Sequence, residues 1–462
     1  MVRVRFAPSP TGKLHLGGLR TALYDYAYAK NQGGKFILRI EDTDQNRFVE
    51  GAADNLVNSL KMMGLDFDEG PTFQSQRLEI YKEYALQLID QGDAYYCFCT
   101  KQELDLARQR QKELKLPTKY PETCRNLPKE EVTQKLASGM PYVIRLAMPK
   151  DHDFIIYDKV RGKVKIDSAL LDDQVILKSD GFPTYHLAAV VDDHLMGITH
   201  VIRGEEWLYS TPKHIHLYEC FGWKPPIWVH LPLILNEDKA KLSKRDGDFS
   251  VEAYLGKGYL PEAIINFVAL LGWNPKTKKE IFDLQYLCDN FSFKAVNKAG
   301  AVFDERKLEW MNGQYIRKMP LADLAELLKK YFVAAQFDIS DEQKYLKVVD
   351  VAKDYLVRLP QVVQYSKMFY QELEFSDDDW ELLHLEDSQT VFKYYLENLQ
   401  KINDYGQFVK SASEELGIKG KAYFFPLRLA LFGNCSGPNI PVLLDILGEE
   451  DTKSRLKKVI KK

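Results

Sequence analysis

The chain opens as Val2-Arg-Val-Arg-Phe-Ala7, passes through the Pro/Gly-rich turn Pro8-Ser-Pro-Thr-Gly12, and continues from Gly17-Gly18 through Leu19 to Ala29. A second apolar, β-branched stretch follows at Lys35 to Ile40. Strand, turn, helix and strand in immediate succession pack in one economical way, as two parallel strands with a helix crossing over them. The N-terminal part is therefore expected to start a parallel α/β sheet. The turn ahead of the helix offers backbone N–H groups and the positive end of a helix dipole, which suits a phosphate, and His15 stands there as a further donor.

Helical stretches are expected near Glu50 to Met63 and Gln76 to Gln91. The parallel theme then breaks between about Tyr95 and Asp173. Here lie a cysteine-bearing turn, a charged helix opening on a Thr100/Glu103 capping box, and short extended pieces such as Tyr142 to Ala147. This segment reads as an insertion between the halves of a nucleotide fold. The α/β pattern resumes with Val175 to Lys178, Thr199 to Arg203, a helix over Thr211 to Phe221 and a strand over Ile227 to Leu235. A loop carrying Lys241-Leu-Ser-Lys-Arg245 comes next, with three cations and a hydroxyl in succession. Beyond Val251 helices dominate, among them Pro261 to Leu271, Asp304 to Tyr315 and Leu321 to Phe332. Pro320 marks a boundary, because proline starts a helix but does not continue one.

A chain of 462 residues is expected to hold about three domains. Its 63 Lys and Arg balance 66 Asp and Glu, for a net charge of −3, so nucleic-acid binding is not announced by total charge. A nucleic-acid binder need only cluster its cations, since phosphate attraction is screened within about 10 Å at 0.1 M salt. The tail from Thr452 to Lys462 is one such cluster. No apolar run approaches the roughly 20 residues of a membrane span, and the immediate strand leaves no room for a leader. The six cysteines form no disulfide framework. A cytoplasmic protein is expected.

Together with Arg39-Ile-Glu-Asp-Thr-Asp44, Tyr185-His-Leu-Ala-Ala-Val-Val-Asp-Asp193 and Val201-Ile-Arg-Gly-Glu-Glu206, the Arg5 to Gly18 and Lys241 to Arg245 segments resemble the glutamyl-tRNA synthetases, class I aminoacyl-tRNA synthetases of bacterial and organellar type. The resemblance spans essentially the whole chain and implies its architecture. Residues 1–94 and 174–250 would form a Rossmann-type catalytic domain, and 95–173 an inserted α+β domain for the tRNA acceptor. Residues 251–319 would be a helical stem-contact region, and 320–462 an all-α anticodon-binding region. The implied reaction is ligation of L-glutamate to tRNA(Glu) through an adenylate, by a monomer using ATP with Mg²⁺.

The resemblance also implies site residues. Arg5, Ala7, Ser9, Glu41, Tyr185 and Arg203 would surround glutamate, and two guanidinium forks are what a free side-chain carboxylate requires. Ser9 and Glu41 would hold the α-ammonium. Pro8, Thr11, Gly12, His15, Gly17, Gly18, Lys241, Ser243, Lys244 and Arg245 would bind ATP. Of these, His15 would act at the α-phosphate and Lys244 at the leaving pyrophosphate, both as catalytic residues. Three departures stand out: Leu16-Gly-Gly in place of a second histidine, Leu242 where many class I enzymes have methionine, and Ala189 where this family commonly has asparagine. The first two are this family's own habit; the third removes a polar contact expected near the substrate.

Cys97-Phe-Cys99 with Cys124 looks like a zinc motif of some family members, whose fourth ligand is a histidine two residues after the third cysteine. Asn126 stands there instead. A closed structural site wants four S/N ligands, so zinc is not the expectation, although three thiolates with water or a distant ligand stay open. Glutaminyl-tRNA synthetases fit less well: a neutral carboxamide would leave an arginine-lined pocket unpaired, and that family ends in β-barrels. A tRNA-modifying glutamyl-queuosine synthetase lacks an anticodon domain. A catalytically dead RNA-binding scaffold is opposed by the intact His15, Lys244, Glu41 and Arg5. Whether tRNA(Gln) is also charged stays open.

Overall fold

A computed structural model describes residues 1–47, 49–242, 247–401 and 404–461, without the side chains of Gln45 and Lys401. Ser243, Lys244 and Arg245 lie outside the described residues. The chain divides into two compact units, residues 1–256 with 261–305, and residues 257–260 with 306–462. The divide falls one helix before the boundary expected at Pro320.

In the first unit, β1 (Arg3–Phe6), α1 (Leu16–Asn31) and β2 (Lys35–Ile40) form the expected strand–helix–strand, with β1 and β2 parallel from Arg3↔Lys35 to Phe6↔Leu38. After α2 (Ala52–Met62), β3 (Glu69–Phe73) joins β2 in parallel. Helix α3 (Leu78–Gln91) leads into the insertion. There β4 (Ala94–Cys97), α4 (Lys101–Glu113) and α5 (Lys129–Ala137) precede β5 (Val143–Leu146), the β6–β7 hairpin (Asp153–Asp158 and Gly162–Asp167) and β8 (Val175–Leu177). Thr100 and Glu103 close the expected capping box on α4.

Helix α6 (Tyr185–Leu195), β9 (His200–Gly204), α7 (Thr211–Cys220) and β10 (Ile227–Leu231) restore the α/β pattern, with β9 and β10 parallel. Thr199 N–H donates to Arg3 C=O at 2.9 Å, so β9 borders β1. The strand sequence 3-2-1-9-10 is thus the doubly wound order, whose ligand crevice opens at the carboxyl ends of the two central strands.

The strand expected over Ile227 to Leu235 is two. Pro232 has no N–H for a ladder, and β11 (Ile234–Leu235) leaves to pair with β12 (Ala301–Val302). Much of the insertion's buried face belongs to the main core, since Ile144, Phe154, Ile156 and Ile166 share one buried cluster with Val190, Val201, Leu217 and Trp228, while Cys97, Tyr120 and Cys124 form a small cluster of their own. Helices α8 (Val251–Gly256), α9 (Pro261–Leu270) and α10 (Leu284–Asn290) complete this unit, with α9 and α10 packed on α1.

The second unit is helical throughout its described residues, from α11 (Glu305–Lys318) and α12 (Leu321–Ala334) to α18 (Lys421–Phe432) and α19 (Ile440–Val459). Its core gathers apolar helix faces, among them Leu324, Leu328, Phe332, Val348, Phe392, Leu427 and Leu443, each essentially without exposure. Among the described residues, no helix is long and apolar enough to cross a membrane.

Candidate active site

A cavity of about 660 Å³ opens at the carboxyl ends of β1 and β9. Arg5, Ala7, Ser9, His15, Gly17, Gly18, Glu41, Tyr185, Arg203 and Lys241 all line it. Pro8, Thr11 and Gly12 do not. Gly12 has φ of +141° with open space where a Cβ would stand, so its backbone bend, not closeness to a ligand, requires glycine. Sequence reading missed Trp207, Lys178 and Arg47 on the same wall.

The first signature segment meets the chain just after the second, although over 200 residues separate them. Leu16 N–H donates to Phe249 C=O and Val251 N–H to Leu14 C=O, both at 2.9 Å, and His15 bridges Ser250. Helix α1 starts at Leu16 rather than at Gly17-Gly18, because His15 is its N-cap and accepts from Gly17 N–H through Nδ1 at 3.2 Å. Two of the expected phosphate-facing N–H groups, those of Leu16 and Gly17, are thereby already engaged. The bond to Nδ1 also leaves the ring proton of a neutral His15 on Nε2.

The two arginines are held differently. Arg5 is buried and donates from Nε to Asp193 Oδ1 at 2.9 Å, and no other hydrogen bond of its guanidinium forms among the described residues. Its two terminal nitrogens are thus available to an anion. The Asp193 carboxylate sits below the ordinary range, held by the charges of Arg5 and Arg39 against burial. Asp25, beneath Arg5, is fully buried with both oxygens unbonded, and burial pushes its carboxyl well above the usual range. Burial thus works against the charge on Asp25 that would offset Arg5.

Arg203 is saturated. Nε donates to His230 Nε2 at 3.0 Å, Nη1 to Tyr185 Oη at 2.8 Å and His214 Nδ1 at 3.4 Å, and Nη2 to Thr211 Oγ1 at 2.8 Å and Trp207 C=O at 3.3 Å. His230 Nδ1 in turn meets Asp158 Oδ2 at 2.6 Å, which fixes its tautomer. Because Tyr185 Oη accepts from Arg203, its own O–H is directed elsewhere as a donor. Burial drives His214 well below its ordinary value and His186, 3.1 Å from it, down to about 3. Burial lowers His230 as well, against the hydrogen bond to Asp158 that raises it.

Among the described residues the Glu41 carboxylate takes one bond, from Arg39 Nη2 to Oε1 at 3.0 Å, and burial lifts its pKa above the usual value. Ala189, one turn beyond Tyr185, is 1% exposed and off the cavity wall, so the missing asparagine leaves no gap there. Lys241 meets Glu206 at 3.2 Å on the rim.

Apart from the cavity, the Cys97, Cys99 and Cys124 sulfurs lie within 4.8 Å of one another. Asn126 is exposed and contributes nothing; the neighbour is Tyr120, whose Oη stands 3.3 Å from Cys97 Sγ and 3.6 Å from Cys99 Sγ. The hydrogen bond between Cys97 and Cys124 lowers the Cys97 thiol and raises that of Cys124.

A doubly wound sheet with a charged crevice at its switch point, a histidine-capped helix and a lysine-bearing loop beside it define a class I aminoacyl-tRNA synthetase. Residues 1–310 match the catalytic domain of class I tRNA synthetases for E and Q, and residues 323–460 match an anticodon binding domain. The chain is 45% identical to a glutamate–tRNA ligase of Clostridioides difficile (98% of each chain covered) and 45% identical to one of Alkaliphilus metalliredigens (99% and 98%). A crystal structure of a glutamate tRNA ligase from Elizabethkingia meningosepticum, in complex with its amino acid, superposes with a TM-score of 0.93 at 39% identity, covering 99% of each chain. The chain belongs to the glutamate–tRNA ligase family.

Proposed function

We propose that this cavity performs ATP-dependent ligation of L-glutamate to tRNA(Glu), and the observation that carries the reading is the open fork of Arg5 facing the same cavity as Glu41. A cation for a carboxylate and a carboxylate for an ammonium are the two poles that free glutamate demands. In the first step a glutamate α-carboxylate oxygen attacks the α-phosphorus of ATP, and the bond to the pyrophosphate oxygen breaks. In the second, a hydroxyl of the 3′-terminal ribose attacks the mixed anhydride, and AMP leaves with the bonding pair.

Arg5, with the O–H of Tyr185, receives the side-chain carboxylate, while Arg203 holds Tyr185 in place and keeps the wall positive. Glu41 and Ser9 receive the α-ammonium. His15 Nε2–H and the N-terminal dipole of α1 meet the α-phosphate, and Lys241 stands on the rim for the triphosphate tail. Mg²⁺ carried by the phosphates would offset their charge without a protein cage. Residues 320–462 are the anticodon-reading part and 95–173 the acceptor-binding part of this proposal. Zinc at the cysteine cluster would be structural, with Tyr120 as the fourth donor in place of Asn126; the metal content of the purified protein before and after Cys124→Ser tests it.

Aminoacylation of purified tRNA(Glu) and tRNA(Gln), with glutamate against glutamine, tests the function. Pyrophosphate exchange with and without tRNA tests whether activation waits for tRNA. Folded protein inactive in every combination would end the proposal.

A further inference from the structure

The open fork of Arg5 and the carboxylate of Glu41 are not independent walls. Asp193, nearly fully buried on α6, accepts from Arg5 Nε at 2.9 Å and from Arg39 Nη1 at 2.7 Å through the same oxygen, Oδ1. The other arm of Arg39 donates to Glu41 Oε1 at 3.0 Å. Arg39 has no exposure, and a second carboxylate, Asp192, backs its Nε at 3.9 Å. Asp192 is itself fixed by Gln74, Arg77 and Tyr81 at 2.7–2.9 Å. An unbroken run of charge-assisted bonds, Arg5–Asp193–Arg39–Glu41, therefore joins the two poles of the cavity. In a low-dielectric interior none of its members can swing away without leaving a charge unpaired.

We infer that Asp193 is a positioning residue that holds Arg5 and Glu41 at a fixed separation and so gauges the length of the amino acid. This rests on the proposed roles of Arg5 and Glu41. One methylene is worth little in a compliant pocket, about 10–200-fold. With both poles fixed, an amino acid one methylene shorter can satisfy only one of them and forfeits a charge-assisted partner. Discrimination against aspartate then depends on the stiffness of the bridge, not merely on the presence of two charges. Glu41 N–H donating to Pro8 C=O at 3.0 Å pins the main chains at the ends of β1 and β2, leaving the side-chain bridge as the variable part.

The test is aminoacylation of tRNA(Glu) with glutamate and with aspartate by Asp193→Asn and Arg39→Lys. Asn keeps the shape of Asp193 but weakens both bonds. Lys keeps a buried cation beside Asp193 yet cannot reach two partners with a planar fork, so it carries the test where Asp193→Asn fails to fold. The expected result is a glutamate KM raised about tenfold, an ATP KM changed less than twofold, and a glutamate-over-aspartate ratio of kcat/KM lowered about tenfold. A raised glutamate KM with an unchanged ratio, or equal losses for glutamate and ATP, overturns the inference and leaves Asp193 a structural residue. Arg5→Lys and Glu41→Gln separate the two layers. If neither moves glutamate KM, the roles of Arg5 and Glu41 fail; if both do and the bridge variants leave the ratio intact, only the gauge fails.

Discussion

Arg5 on β1 and Arg203 on β9 face one cavity from neighbouring strands, yet their surroundings are opposite. Arg5 makes one hydrogen bond, to a carboxylate, and keeps its terminal nitrogens available; Arg203 makes five, all to neutral groups. A fork that is held by Nε and otherwise open is prepared for an incoming anion. A saturated fork is a structural hub that lends the wall its charge and orients Tyr185. An arginine on a cavity wall is thus not a substrate fork by position alone; its remaining donors decide.

The contrast breaks most visibly on substitution to alanine. Arg203→Ala takes a donor from buried Thr211 and His230, which still lie 3.2 Å from each other, and from half-buried Tyr185; with one or two groups left unsatisfied at about 1–3 kcal/mol each, a loss of roughly 2–5 kcal/mol is expected. A denaturant midpoint shift reads it, and a variant as stable as the parent would show the hub to be dispensable. Arg5→Ala should act on binding instead. Loss of a charge-assisted bond worth about 1.5–3 kcal/mol raises glutamate KM roughly 10–150-fold while ATP KM stays within about twofold. Equal losses for both substrates would erase the distinction between the two arginines.

How legible this contrast was in the sequence differs by side. Arg5, Glu41 and His15 stand in short contiguous motifs, and the strand–turn–helix that carries them is dictated by local pattern, so the cavity's β1 side could be read directly. The Arg203 side is assembled across distance: His214 from α7, His230 from β10 and Asp158 from the hairpin of the insertion meet only once the sheet is formed. No spacing rule connects them. Asp193 and Arg39 lay inside quoted motifs, but their bridging role needs α6 packed on β1 and β2. Tyr120 escaped because the cysteine spacing pointed to Asn126, whereas the chain folds the phenol four residues before Cys124 onto the sulfurs. The split at Pro232 is encoded in proline's missing N–H, but the apolar residues on either side of it mimic a single strand.

Acid separates the two sides by their titrating groups. His214 and His186 have folded values below the ordinary 6.5, the second at about 3. A histidine depressed on folding contributes stability that is complete above 6.5 and lost as pH falls, since the unfolded chain takes up the proton first. The Asp193 carboxylate is also depressed, but from 3.8, so its contribution persists down to about that pH. Between pH 7.5 and 5.5 the Arg203 side should therefore lose about 1 kcal/mol per histidine, while on the Arg5 side Asp193 loses nothing and Asp25, whose carboxyl is raised on folding, gains. Unfolding free energies at the two pH values check this, with His186→Asn expected to flatten part of the slope. A slope unchanged in that variant would place the acid sensitivity elsewhere.

The finest test concerns the charge under Arg5. Asp25 has no hydrogen-bond partner and no exposure, and burial outweighs the attraction of Arg5 in setting its pKa. If its carboxyl is neutral at pH 7, Asp25→Asn removes no charge, and the open fork of Arg5 should bind glutamate as before, with KM within about twofold. An ionised Asp25 would instead have been cancelling Arg5, and the same substitution would lower glutamate KM severalfold. Stability supplies the sign check. A carboxyl whose folded pKa is raised favours the folded state least at high pH, because the unfolded chain releases the proton and the folded one retains it. Asp25→Asn should therefore gain stability over the parent as pH rises from 4 to 8, with the difference vanishing at the acid end. A gain at pH 8 with an unchanged glutamate KM is the signature of an arginine whose charge is left whole for the substrate.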